Sequence, residues 1–228
     1  MNAEVMQPQT TPTVAMIRTL GLIAAICGVI IVGAYQGTYN AVQENKRIAV
    51  ERAVFKVIPA ARSIGEFIAL PDGSVEKTSA SGTVPAGAVK FYAGYDDAGG
   101  LAGIAAEGSA KGYADSVRIL FAYDQATSRI TAFGVVAMRE TPGIGDKILV
   151  DKEFLANFPL EAKLAADLKG LANAIVTVKQ GTKTKPWEID AISGATITSR
   201  AVGKAINDAA QILLPRIGPN LDKLKEKS

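Results

Sequence analysis

Residues 19–43 carry no charged side chain, and Leu20 to Tyr35 are nearly all apolar. As a helix, such a stretch is long enough to cross the roughly 30 Å hydrocarbon layer of a bilayer. Arg18 on one side and Tyr35 and Tyr39 on the other suit the membrane–water interface, and Cys27 falls mid-span, where a thiol is a small hydrophobe. A cleaved signal peptide fits less well. The apolar run exceeds a typical signal-peptide core, and no convincing small-residue cleavage site follows it. The expectation is a retained single-pass anchor. Lys46, Arg47, Arg52 and Lys56 follow the span and only Arg18 precedes it, so the positive-inside rule taken alone would put the rest of the chain in the cytoplasm. Large domains cross membranes largely regardless of charge, and the side stays open on this ground.

Beyond that segment, 228 residues leave room for one sizeable core with tails and linkers. The formal net charge is only +3, with no basic blocks interleaved with aromatics, which argues against a nucleic-acid partner. Histidine is absent and Cys27 is the single cysteine. That excludes His-dependent triads, His-ligated metal or haem, an intrachain disulfide, a multi-thiolate zinc site and a self-contained iron–sulfur cluster. No metal ligands and no catalytic residue are assigned. Any redox chemistry falls to an organic cofactor.

Along the chain, Met1 to Pro12 reads as a disordered tail and Asn40 to Val57 as a stalk or docked helix stopped by Pro59. Pro71 to Gly87 reads as loop. Val89–Tyr95, Leu101–Ala106, Val117–Tyr123 and Ile130–Met138 read as strands, the last two forming an antiparallel hairpin around Asp124–Arg129. Short helices are expected at Lys152–Phe158 and Leu160–Leu168, split by Pro159, and a strand at Ala174–Lys179. A closing helix is expected from about Ser199 to Leu214, ended by Pro215 and Gly218. Strands grouped together with flanking helices predict an α+β domain.

Two stretches invite chemistry. The first runs Asp190-Ala191-Ile192-Ser193-Gly194-Ala195-Thr196-Ile197-Thr198-Ser199, just ahead of the closing helix. Gly194 and Ala195 let a bulky partner approach the backbone, and Thr196 offers a hydroxyl beside them. The first amides and positive dipole end of the helix suit a phosphate, with Ser193, Thr198 and Ser199 as further hydroxyl donors. Read blandly, Thr198 or Ser199 is an ordinary N-cap. The second stretch is Arg139-Glu140-Thr141-Pro142-Gly143-Ile144-Gly145-Asp146-Lys147, a tight turn where a strand gives way to a helix, with amides free to face a ligand. Its bland reading is a turn with no ligand.

Together, and in this order behind a single span, these motifs resemble the FMN-binding domain found in the G subunit of the Rnf ion-translocating electron-transport complexes. The C subunit of the sodium-translocating NADH:quinone reductase carries a similar domain, but its chain is longer. The resemblance covers the whole layout. Ile144 stands where the family's turn more often has Leu, an apolar exchange. It implies FMN bound covalently through its phosphate to Thr196, with Asp190 as the acid recognised by a flavin transferase. Ser193, Gly194, Ala195, Thr198 and Ser199, with Glu140, Thr141, Pro142, Gly143, Ile144 and Gly145, are the implied cofactor-binding residues.

The layout then expected is a tail at 1–18, a transmembrane helix at 19–38, a stalk at 39–60, an antiparallel-sheet FMN-binding domain with flanking helices at 61–216 and a tail at 217–228. The resemblance also implies an electron relay inside a larger translocase, not an independent enzyme. Its partners would be other membrane and peripheral subunits, membrane lipid and, during maturation, the flavin transferase. It implies the inner (cytoplasmic) membrane with the flavin domain on the periplasmic side, where a dissociated cofactor would be lost. Trp187 and Tyr113 are weaker candidates for stacking on the flavin ring and Lys147 for offsetting its charge. Lys111-Gly112-Tyr113 reads as a turn, and Lys183, Lys185, Lys223, Lys225 and Lys227 as solvated surface. Three rivals remain: the C subunit of a sodium-translocating NADH:quinone reductase, a threonine-nucleophile hydrolase, which lacks an identified base, and a non-redox anchored assembly protein.

Overall fold

The computed structural model describes residues 12–78 and 84–224. Most of the expected N-terminal tail, and Lys225 and Lys227, lie outside them. Helix α1 (Thr13–Val57) starts within the expected tail and continues through both the apolar run and the stretch read as a stalk. The chain divides into two compact units, residues 1–46 and 47–228. In the first, the helical residues are exposed throughout, with large apolar side chains such as Leu20, Ile23, Ile30 and Ile31 uncovered, as a bilayer-facing helix requires. One such helix meets the length and composition of a membrane span among the described residues.

The second unit is built on an antiparallel sheet. In chain order its strands are β1 (Ser63–Ala69), β2 (Val75–Lys77), β3 (Val89–Tyr95), β4 (Leu101–Lys111), β5 (Ser116–Asp124), β6 (Arg129–Ala137) and β7 (Leu160–Glu161). Their spatial order is β2-β1-β3-β4-β5-β6-β7. The β5–β6 hairpin pairs Phe121 with Phe133 and Asp124 with Arg129. Both faces of the central strands are covered, so β5 runs almost wholly buried from Ile119 to Tyr123. A separate parallel pair joins β8 (Val176–Val178) to β9 (Glu188–Asp190).

The closing helix, α3 (Thr196–Ile217), follows the short α2 (Lys152–Leu155) and lies on one face of the sheet. It buries Val202, Ile206, Ala210, Leu213 and Leu214 against Phe91, Ile104, Ile119 and Phe121. Close packing of α3, on this sheet and on β8, depends on two glycines. A Cβ on Gly108 would strike the Ala205 carbonyl, and one on Gly203 would strike the Thr177 hydroxyl. On the other face, Val54, Val57 and Ile58 cover Tyr92, Ala105, Leu120 and Ala122.

Four expectations from sequence are corrected. The loop at Pro71–Gly87 contains β2. Leu160–Leu168 is not a helix: β7 opens it, and Leu164 pairs with Leu171. The amides that follow it are taken by side chains of α3, Leu171 N–H by Gln211 at 2.8 Å and Ile175 N–H by Asn207 at 3.0 Å. The helix expected to run to Phe158 stops at Leu155. Finally, α3 begins at Thr196, not Ser199, and passes through Pro215. Buried Leu213, Leu214 and Ile217 hold that end down, and Arg216 donates to the Gly87 carbonyl at 2.6 Å.

Candidate functional site

The two motifs are far apart in sequence and meet in space. After β6 the chain turns at Thr141, whose carbonyl accepts from the amides of Ile144 (3.1 Å) and Gly145 (3.0 Å). Gly143 takes φ +75° to close that turn, a conformation glycine adopts without strain. Gly145 opens a 3-10 helix, Gly145–Leu149. After β9 the chain turns again at Ile192–Ala195, with Gly194 at φ +80° and open space where its side chain would be.

Between the two turns lies a cleft of about 550 Å³. Its walls are Tyr113, Glu140, Thr141, Ile144 and Gly145 on one side and Gly194 to Thr198 on the other. The volume falls within the roughly 300–1,000 Å³ of small-ligand clefts. The lining is mainly apolar. Ile144, Ile197 and Tyr113 are all exposed, Tyr113 by 68%, so flat apolar surface stands at the mouth without a covering partner among the described residues.

Helix α3 begins in this cleft. Its N-cap is Ala195, which has no side chain to cap with. The first intrahelical bond is Ser199 N–H to the Ala195 carbonyl, so the amides of Thr196, Ile197 and Thr198 have no acceptor within the helix. An uncapped helix start beside a half-buried hydroxyl is a place for an anion. Thr196 is that hydroxyl, and it makes one long bond, to the Ile192 carbonyl at 3.4 Å.

The remaining hydroxyls are engaged elsewhere. Thr198 is buried and donates to Glu140 Oε2 at 2.9 Å. Ser199 is fully buried, donating to the Ala195 carbonyl at 2.9 Å and accepting from the Ile192 amide at 3.1 Å. Neither caps α3. Ser193, Pro142 and Gly143 are exposed and outside the cleft lining.

Asp190 faces away from the cleft, into a second pocket of about 210 Å³ lined by Asp151, Glu153, Phe154, Gln180, Gly181, Asp190, Ala191 and Ile192. Its Oδ1 accepts from the amides of Thr182 (3.1 Å) and Lys183 (3.0 Å), and its own amide donates to Asn157 Oδ1 at 2.9 Å. Lys183 is not freely solvated. Its ammonium donates to the Asn157 carbonyl and Oδ1 at 3.1 and 3.2 Å, and burial pulls its pKa below the ordinary lysine value against the opposing pull of Asp190 and Glu188. Asn157, 5% exposed, carried no sequence signal, since a single Asn near a Pro reads as turn. Trp187 lies under Lys185, 5.5 Å from ring centre to ammonium, and Lys147 is exposed; neither lines the cleft. Tyr113 does. Its signal was the Lys-Gly-Tyr turn, and Ile197 had none beyond its place in the motif.

The FMN-binding domain family matches residues 112–211. The G subunit of the ion-translocating oxidoreductase complex of Methanosarcina acetivorans is 32% identical over 130 residues, 57% of this chain and 61% of the relative. The G subunit of the Na(+)-translocating ferredoxin:NAD(+) oxidoreductase complex of Acetobacterium woodii is 30% identical over 159 residues, 69% of this chain and 70% of the relative. The first match thus spans about three fifths of the relative's length. Among solved structures, Shewanella oneidensis NqrC superposes with a TM-score of 0.58 at 20% identity, covering 79% of this chain and 98% of that one. The C subunit of the Na(+)-translocating NADH-quinone reductase of Parabacteroides distasonis gives 0.59 at 17% identity, covering 84% and 98%.

Proposed function

The chain belongs to the G-subunit family of ion-translocating oxidoreductase complexes, with an FMN-binding domain over residues 112–211, and from that membership we propose that it is a membrane-anchored electron carrier with FMN joined through its phosphate to Thr196. One observation carries this reading. The Thr196 hydroxyl stands at the uncapped start of α3, inside an apolar cleft walled by the second motif. The residues fit the group. The amides of residues 196–198 suit a phosphate, Gly194 leaves room for it, and Tyr113, Ile144 and Ile197 offer surface to a flat ring. When bound, the flavin supplies the electron transfer. The chain tethers it, excludes water on one side and presents it to neighbours.

The sequence relatives are named as G subunits at 30–35% identity, while the quinone-reductase likeness at 17–20% concerns the fold. A role as the G subunit is therefore preferred over one as the C subunit, with no independent enzymatic activity. Residues 19–38 would be the membrane span, 39–60 the stalk and 61–216 the flavin domain, held on the extracytoplasmic side of the cytoplasmic membrane. The partners would be the other members of the complex and surrounding lipid, with a flavin transferase acting first. Asp190 would serve that transferase. A threonine-nucleophile hydrolase is disfavoured, because the carboxylate in the cleft, Glu140, is bonded to Thr198 and not to Thr196.

The test is intact mass and peptide mapping on protein from its native membrane. A gain equal to one FMN less one water, on the peptide containing Thr196, is the expected result. An unmodified mass, from a host that flavinylates other proteins, would favour the assembly-protein reading instead.

A further inference from the structure

Glu140 sits where three separate stretches converge. Its Oε2 accepts from the Thr198 hydroxyl, 58 residues away, at 2.9 Å. Its Oε1 accepts from the Ala114 amide at 3.2 Å. Two glycines make space for it. A Cβ on Gly112 would collide with Oε1, and one on Gly145 would lie 2.6 Å from the Glu140 Cβ and 2.9 Å from Oε2. The carboxylate thus ties the turn that carries Tyr113, the turn that carries Ile144 and the first turn of α3 that carries Thr196. All three are walls of the same cleft.

We propose that Glu140 is a positioning residue that latches the cleft around the flavin through Thr198 and Ala114, so that Thr198 serves as the far side of the latch and not as a phosphate ligand. The proposal rests on the reading that Thr196 carries FMN. The physical argument is one of commitment. A buried threonine hydroxyl has one proton to donate, and here it goes to a carboxylate, the stronger acceptor. Because Thr198 lies two residues after Thr196, a fixed Thr198 fixes the direction in which the Thr196 tether leaves the helix. Because Ala114 follows Tyr113, the same carboxylate sets how close that ring stands to the cleft. A carboxylate in the cleft wall also opposes added negative charge on a group lodged there, so Glu140 tunes the potential as well as the pose.

The experiment uses full-length chain purified from its native membrane and compares wild type with Thr198→Val, Thr198→Ser and Glu140→Gln. Intact mass gives the loaded fraction. Visible circular dichroism per bound flavin and the flavin midpoint potential give the pose and field within that fraction. Thr198→Val is expected to shift the balance of latched to open cleft by about fivefold, read as a weaker visible signal per flavin, and Thr198→Ser to restore it. Glu140→Gln, which keeps the shape and loses the charge, is expected to move the potential to more positive values. A loaded Thr198→Val chain with wild-type dichroism and potential would overturn the latch, as would a Thr198→Ser chain no better than the valine. An unchanged potential in Glu140→Gln would overturn the tuning, and if the valine variant cannot be recovered folded, a loaded Glu140→Ala chain with wild-type dichroism per flavin overturns the latch alone. Wild-type protein without FMN mass on Thr196 would bring down the underlying reading, a result distinct from all of these.

Discussion

The segment from Asp190 to Thr198 is built differently on its two sides. Toward the cleft it presents Gly194, Ala195 and the opening turn of α3, with free amides, apolar neighbours and few commitments between side chains. Toward the second pocket it presents Asp190 among Asp151 and Glu153, and that side is densely bonded, with Asn157, Thr182 and Lys183 all joined to Asp190 or to each other. An anion would meet unpaired N–H groups on the first side, with one carboxylate, Glu140, already bonded to Thr198 and Ala114, and three carboxylates on the second. The contrast favours a phosphate in the cleft and leaves the acidic side as a brace.

The comparison breaks most sharply at Thr196. In Thr196→Val the covalent flavin should vanish completely by mass while the chain stays folded, whereas Glu153→Gln on the opposite side should leave loading at the wild-type level and change stability by less than about 0.5 kcal/mol. Retained covalent flavin in the valine variant would mean another attachment residue. The next largest effect is expected at the brace. Asn157→Ala leaves the Asp190 amide without its acceptor and the Lys183 ammonium with the Asn157 backbone carbonyl alone and should cost about 2 kcal/mol, seen as a lower urea midpoint with an unchanged slope. A cost near zero would show that the brace is dispensable.

Gly194→Ala tests the open side. At φ +80° an added Cβ meets no atom, so the cost is backbone strain alone, about 1 kcal/mol; a larger loss would point to a contact made in the loaded protein. The smallest effect is a pH slope. Burial holds Lys183 below its ordinary value, so the unfolded chain binds more protons than the folded one between that lowered value and 10.5. Stability should therefore rise with pH across that window, and Lys183→Met should flatten the rise in urea titrations. An identical slope in the variant would mean the ammonium is solvated after all.

Much of the sheet was legible because its strands advertise themselves locally. Val89–Tyr95, Ser116–Asp124 and Arg129–Ala137 are apolar or alternating runs bounded by turns, and all three are strands. Leu160–Leu168 misled because its helix-like spacing of leucines is overridden by α3, whose Gln211 and Asn207 take the amides that follow. Pro215 misled for the opposite reason: it removes one helical bond, but three buried neighbours outweigh that loss. At the site, the small residues around Thr196 and the glycines of residues 143–145 could be read directly, since glycine and proline impose backbone geometry wherever they fall. The separate fates of Thr198, Ser199 and Asp190 could not, because a hydroxyl or carboxylate has no preferred partner until the chain folds.

By itself, the sequence determined that one apolar helix is long enough to cross a bilayer, that no histidine or thiolate set is available for metal or nucleophilic chemistry, and that a threonine stands beside small residues at a helix start. These follow from composition and from steric rules that act within a few residues. Only the tertiary structure decided that the turn at Glu140 faces the turn at Thr196, that Glu140 joins Thr198 to Ala114, and that Asp190 looks the other way. Those outcomes depend on how α3 settles on the sheet through Gly108 and on the β8–β9 pair through Gly203, contacts between residues far apart in the chain that no local pattern encodes.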